Sequence, residues 1–449
     1  MSLSAGFSRT VIDPEMGVGI EGYFITRKAD GILDDLEINA LALSLGQETV
    51  VLLSFDLCLV RQRSLDLIRR DVAEATGLPG DHVFLCCTHT HTSPICIHDD
   101  SDPLIRSYFA RLRVWAAEAA KAALADLTPA RFGYGETTCD LSHSRRIRMK
   151  DGSIKTNPGM NNPESVCEVG EMDHRLNVLR FDRAGADSLV VINYGMHPDS
   201  IGKCGISADW PGFMRRTFEA AIPGTKCLFL NGAEGDVGAM PVFADPGWFN
   251  DTFWDFDDVV RGYHHSRWYG RYMAGAVMKI FDKVNYTDEV SLAVRERVIR
   301  VPANLPAPEE LPEAHRICDL HRADRDSELG VEGMMVTTLV AEAQRMVELE
   351  NGPETFDMPL TGIALGPVAI LGIPGEPFTG IGVALKDAPA WKMVLPVSNA
   401  NGSEGYFPMQ EHYDEGGYET RSSPFKAGCA EYIVAEGRSL LADLNNIGR

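Results

Sequence analysis

The chain is short of positive charge. Its 449 residues hold 42 Lys and Arg against 64 Asp and Glu, a formal net charge of -22. A surface of that sign repels nucleic-acid phosphates and anionic lipid headgroups, so neither nucleic acid nor membrane is expected as a partner. No apolar run is long enough to span a bilayer. The first residues, Met1-Ser2-Leu3-Ser4-Ala5-Gly6, lack both the basic start and the apolar stretch of an export signal. The 10 cysteines include no Cys-x-x-Cys pair, and Cys58, Cys86, Cys87 and Cys227 sit inside apolar runs. Buried free thiols in a reducing compartment follow from that pattern, not a disulfide framework. A cytoplasmic protein with a small-molecule substrate is the expectation, and a homo-oligomer stays open.

What is present is ordinary globular composition, 45% hydrophobic and 24% charged, enough for a large core. One order of elements recurs three times. Segments 36–45 and 50–55 read as a hairpin that stops at Asp56. Residues 64–76 follow with Leu65, Ile68, Val72 and Ala75 three and four apart, a helix stopped by Gly77. The apolar run 83–87 is then a strand leading to His89 and His91. The second copy has strands at 176–181 and 189–194 stopping at His197. A helix at 211–221 with Asp209 as its cap and a strand at 227–230 ending toward Asp236 complete it. The third has strands at 360–365 and 368–373 stopping at Glu376, a helix at 378–387, and a strand at 393–397 leading to Tyr406. The fold class is therefore α/β: mixed sheets from three hairpin–helix–strand units with outer helices, and a site at the strand C-terminal ends.

Insertions fall at about 134–171, 242–262 and 302–350. The first holds Arg145, Arg146 and Arg148 and a Gly-, Asn- and Pro-rich run, and reads as a loop. The second is dense in aromatics and acids, either a satellite apolar cluster or a flap over the site. The third is charged and mostly helical, packing outside the sheet. Residues 264–284 and 422–444 read as helices.

The strand ends carry the chemistry. His89 and His91 stand two apart, which in an extended chain puts both on one face. Neutral imidazole is the commonest metal ligand, and a catalytic zinc takes three protein ligands and leaves one position open. His89, His197 and Glu376 supply two imidazoles and a carboxylate. The bland alternative is histidines satisfied by backbone groups and a solvated loop acid. His91 stands beside the set as a group to donate to an oxyanion or leaving group, and Arg145 or Arg146 to bind negative charge.

Several blocks together resemble the catalytic domain of the neutral/alkaline (non-lysosomal) ceramidase family. They are Gly22-Tyr23, Thr88-His89-Thr90-His91-Thr92-Ser93-Pro94, Ser142-His143-Ser144-Arg145-Arg146 and Asn193-Tyr194-Gly195-Met196-His197-Pro198. Ser207-Ala208-Asp209-Trp210-Pro211-Gly212, Asn231 to Asp236, Gly375-Glu376-Pro377, Glu404-Gly405-Tyr406 and Tyr418 continue the likeness. It runs nearly end to end. It implies a zinc-dependent amide hydrolase in a single ceramidase-like catalytic domain over 1–449. By that pattern Zn2+ is held by His89, His197, Glu376 and Tyr406, while His91, Arg145 and Tyr418 act at the scissile carbonyl. The family's serine after Gly-Asp-Val is replaced here by Gly238, the C-terminal immunoglobulin-like domain is not expected, and no export signal is seen. A soluble amide or ester smaller than ceramide is the expected substrate. Two other readings stand beside this one: a metal hydrolase of the amidohydrolase barrel type, which wants further metal-binding histidines on later alternating strands and against which the hairpin-rich pattern speaks, and a family member that binds metal or ligand without turnover.

Overall fold

The computed structural model describes residues 2–170, 172–244 and 262–447. The three hairpin–helix–strand units are present. In the first, Glu37–Leu45 and Glu48–Phe55 pair antiparallel, helix Gln62–Thr76 crosses over, and Val83–Cys87 returns parallel to Glu48–Phe55. Gly77, left-handed at φ 74, caps that helix. The second unit repeats this with Arg175–Arg183, Ser188–Tyr194, Asp209–Ala221 and Thr225–Asn231. The third does so with Thr355–Leu365, Val368–Gly372, Thr379–Lys386 and Met393–Val397.

Each unit is larger than the sequence pattern implied. A further strand lies antiparallel to the first strand of every hairpin: Ser4–Val11, Thr128–Thr138 and Leu292–Pro302. A last helix, Pro103–Ala125, Tyr263–Phe281 or Cys429–Ile447, packs on that strand and its hairpin neighbour. Ser4–Val11 also pairs with Thr128–Thr138, so the first two units share a nine-stranded sheet, while the third has a four-stranded sheet of its own. The inner faces of all three meet in one core that includes Leu52, Phe84, Val191, Leu228, Ile370 and Leu395. The outer faces are covered by each unit's own helices. Strands buried on both sides read as continuous apolar runs, which is why these hairpins were legible.

The strand ends are tied in a ring. Cys87 N donates to Asn399 O (3.3 Å), Ser398 N to Asn231 O (3.0 Å), and Asn231 Nδ2 to Thr88 O (3.1 Å). Each strand end also grips the start of the next unit's helix. Thr90 and Thr92 hydroxyls donate to Ser207 O just before Asp209–Ala221. Asp236 Oδ1 accepts from Thr379 N at 2.7 Å, and Glu404 Oε1 accepts from Gln62 N at 3.0 Å. The cycle closes, so the site sits where the three units meet.

Three expectations change. Segment 134–171 is not a loop. Thr128–Thr138 runs through its start, and Arg146–Met149, Ile154–Thr156 and Ser165–Glu168 form a small antiparallel sheet. Strands of three or four residues are too short to show a period. Asp209 is not the helix cap; Ala208 is. With φ 51, Asp209 turns its carboxylate back to accept from Ser200 N at 2.8 Å and Ser266 Oγ at 2.7 Å. The final helix begins at Cys429, behind a short separate helix Tyr418–Ser422. Residues 302–350 contain helices Leu311–Arg322 and Met334–Leu349, and the second also walls a cavity beside the site. Most of the aromatic segment 242–262 lies outside the described residues. Among those described, no helix is long and apolar enough to cross a membrane, and no cysteine is in a disulfide.

Candidate metal centre

His89 is the second residue beyond Val83–Cys87, and the chain there is not extended. Its φ is 75, a left-handed conformation that costs about 1–3 kcal/mol outside glycine and gathers at functional sites. The two-apart argument for His-x-His therefore does not apply. The turn, not strand alternation, brings His91 Nε2 to 3.3 Å from His89 Nε2. His89 Nδ1 lies 2.8 Å from the Cys58 carbonyl. A carbonyl only accepts, so the neutral ring carries its proton on Nδ1 and turns the Nε2 lone pair inward.

His197, three residues past Ser188–Tyr194, is held the same way. Its Nδ1 lies 2.8 Å from Glu234 O and 2.9 Å from Val237 O. Glu376 is positioned by its backbone, which pairs in parallel with Tyr406. Its Oε2 lies 3.3 Å from His89 Nε2 and 3.2 Å from His197 Nε2. These contacts lack hydrogen-bond geometry, and Oε2 is buried without a hydrogen-bond partner among the described residues. One donor atom from each of the three lies within 4.8 Å of the others. Two imidazole Nε2 atoms and an orphaned carboxylate oxygen around one point could hold a divalent cation.

Without an ion the electrostatics are those of a buried ion pair, in which an imidazolium at His89 supplies the positive charge beside Glu376. Burial opposes charge at Glu376, but His89 and His197 outweigh it and hold the carboxyl well below its usual range. Burial opposes protonation of His89 too, yet Glu376 and Cys58 hold it well above the ordinary imidazole value. Burial, then Arg145, push His197 down to about 4. A second grouping, Cys58 with His89 and His91, also has metal-ligand proximity. It fits less well, because burial keeps the Cys58 thiol protonated and His89 Nδ1 is committed to the Cys58 carbonyl.

The other expected residues surround this cluster. Burial, then His89 and His197, push His91 well below the usual imidazole value against the pull of Asp199, so it is neutral. Its Nδ1 is 3.9 Å from Asp199 Oδ1, and the Tyr23 hydroxyl donates to that same oxygen. Gly22, at φ 105, lets the chain pass the His91 ring: a Cβ there would stand 2.7 Å from His91 Nδ1. Arg145 Nη1 donates to His197 Nε2 at 3.1 Å, competing with a cation for that lone pair, and its Nε sits 2.8 Å from Glu419 Oε1. Arg146 pairs with Glu415 and with the other oxygen of Glu419. Tyr406 lies under Arg145 (5.2 Å to the ring centroid) and 5.7 Å from the Tyr418 ring. Burial keeps both tyrosine hydroxyls protonated against Arg145. A Cβ at Gly238 would clear its nearest neighbour, Arg145 Cβ, at 3.7 Å, so the absent serine is not excluded by space.

Asp56 and Asp236 do not reach the cluster. Asp56 takes two hydrogen bonds from Arg215 (3.0 and 2.5 Å), and Asp236 serves Thr379. Both are orienting groups between units. Sequence reasoning missed three residues that touch the cluster's surroundings. Cys58 supplies the carbonyl for His89. Glu234, raised to about 8 by burial, accepts from Asn399 Nδ2 at 3.1 Å. Asn399 itself lies 3.4 Å from His89 Nδ1. Their only signal was position at strand ends. A cavity of about 340 Å³ opens beside the cluster, lined by Glu376, Tyr406 and Tyr418.

No protein-family model matches the chain, and no curated protein matches it in sequence. Solved structures do. A neutral ceramidase from Pseudomonas aeruginosa superposes with a TM-score of 0.73 at 18% identity, over 99% of this chain and 75% of that one. A ceramidase complexed with C2 gives 0.70, again at 18% identity over 99% and 75%. Almost from end to end, then, this chain has the neutral ceramidase fold.

Proposed function

We propose that the chain is a metal-dependent hydrolase of an amide, or of the corresponding ester, and that Zn2+ is its metal. The observation that carries this reading is the convergence of His89 Nε2, His197 Nε2 and Glu376 Oε2, with both imidazole Nδ1 atoms held on carbonyls. The ceramidase fold supports the choice of reaction. A divalent cation held there supplies an acidified water and a polarised carbonyl. His89, His197 and Glu376 would hold it, with Tyr406 as the fourth protein group beside Glu376. Neutral His91 accepts or passes a proton at Nε2. Arg145 and the Tyr418 hydroxyl donate to the oxygen on which negative charge grows. Overall, water adds across the C–N bond, giving an acid and an amine.

The test is metal content of the purified protein together with a panel of acyl amides and esters. One equivalent of zinc, and hydrolysis lost on chelation and in His91→Ala, is the expected result. A protein that binds zinc but turns over no member of the panel would instead be a non-catalytic binder.

A further inference from the structure

Arg345, on helix Met334–Leu349, lines the cavity beside the metal cluster and is 9% exposed. Its Nε donates to Arg421 O at 3.0 Å and its Nη1 to Asn304 O at 2.6 Å. Both acceptors are neutral carbonyls. No carboxylate lies within ion-pair distance among the described residues: Glu342 on the same helix is taken by Arg421. Nη2 makes no hydrogen bond to a described residue, which leaves its two N–H groups and one on Nη1 for an occupant. A buried guanidinium without a counter-charge is costly, and its fork matches a carboxylate. Its pKa is lowered, burial outweighing the longer-range pull of Glu342 and Glu310.

The rest of the cavity fits an amphiphilic occupant. Phe24, Leu59 and Phe356 supply apolar wall. Glu376 stands at the cluster end. Two other acids line the space, and neither neutralises Arg345. Glu404 is engaged by Gln62 N, with its pKa raised by burial, and Glu348 is exposed and faces Arg61 at 3.9 Å.

Resting on the hydrolase reading above, we infer that the substrate is an acylated amide carrying a carboxylate away from the scissile bond, of the N-acyl amino acid class, and that Arg345 anchors that carboxylate. Water adds, the C–N bond breaks, and the products are a carboxylic acid and an amino acid.

Binding tests this independently of turnover. The probes are 4-oxononanoate, in which CH2 replaces the amide nitrogen of hexanoylglycine and prevents hydrolysis, and its neutral amide, 4-oxononanamide. Calorimetry on the zinc-loaded full chain should show the acid binding at least tenfold more tightly than the amide. In Arg345→Gln the two should fall within twofold of each other, while Arg345→Lys keeps part of the preference. Equal binding by the wild-type protein overturns the inference and needs no variant. A preference that survives in Arg345→Gln also overturns it, because the carboxylate is then held elsewhere. Tight, Arg345-dependent binding of the acid with no hydrolysis of hexanoylglycine or of any member of the amide and ester panel would uphold the anchor and remove the hydrolase.

Discussion

Glu376→Gln probes the metal centre with almost no change of shape. The substitution removes the triad's negative charge and weakens one of its three donor atoms. Zinc sites bind with about 10–16 kcal/mol, so a third of that, roughly 3–5 kcal/mol, is at stake. At 1.4 kcal/mol per decade the variant's Kd rises by about a hundredfold or more. With free zinc at about 100 times the wild-type Kd, bound metal stabilises the wild type by about 2.7 kcal/mol and the variant by about 0.4 kcal/mol or less. An unfolding entropy near 2.1 cal/mol/K per residue, over 449 residues, makes about 0.9 kcal/mol per degree. A chelator should therefore lower the wild-type melting temperature by about 3 °C and the variant's by less than about 1 °C. Scanning calorimetry reads the shift, and elemental analysis after gel filtration reads the stoichiometry. Full metal content and an unchanged chelator shift in Glu376→Gln would refute the triad. Loss of metal in Cys58→Ala with retention in Glu376→Gln would move the ion to the neighbouring thiol grouping.

Three further outcomes are expected. Gly22→Ala drives a Cβ to 2.7 Å from His91 Nδ1 at a backbone φ of 105; metal content should be retained while kcat falls at least tenfold, the scale of a misplaced proton-transfer group, and an unchanged kcat would remove His91 from the reaction. Asp56→Ala strips two hydrogen bonds from the buried Arg215, although Glu37 stays 3.1 Å away, so stability should drop by about 3 kcal/mol, with Asp56→Leu plus Arg215→Met recovering most of it; a melting temperature within a degree of wild type contradicts this. Burial raises the pKa of Asp173, but Lys386 at 2.9 Å and Arg175 outweigh it and hold the carboxyl low in the folded state. Its stabilisation is then complete above the unfolded carboxylate value of about 4 and disappears as pH falls through the lowered value. Melting temperature against pH should show a shallower acid limb in Asp173→Asn.

The three hairpins were legible because both faces of their strands are buried, and because Gly46-Gln47 and Gly366-Pro367 mark the turns. The flanking strands were not. Leu292–Pro302 carries Arg295, Glu296, Arg297 and Arg300, and Thr128–Thr138 carries Gly133 and Gly135, which spoil an apolar signal. The structure gives the glycines a reason: a Cβ at Gly135 would meet Ile280 Cγ1 at 2.8 Å and one at Gly133 would meet Val284 Cγ2 at 2.9 Å. Only tertiary packing against Tyr263–Phe281 and the residues just after it supplies that reason. At the centre, His89, His197 and Glu376 could be read as polar residues closing apolar strands. Tyr406 was read as a strand end and Arg145 as an alternative to Arg146, while Tyr418 and the assignment of Tyr406 to the metal came through family resemblance, since a phenol at a loop position has no spacing rule of its own. Arg345 had no signal, because nothing in a helical sequence tells a guanidinium that meets carbonyls from one that meets carboxylates.

The closed ring of strand ends has a consequence for biosynthesis. His89, His197 and Glu376 come from successive thirds of the polypeptide, so the ion's seat is finished only when the last third has emerged and docked onto the other two. Shorter nascent chains own at most two of the donors. Truncation before the third unit should therefore abolish metal binding, whereas a protease nick between the second and third units should leave both pieces docked through the shared core.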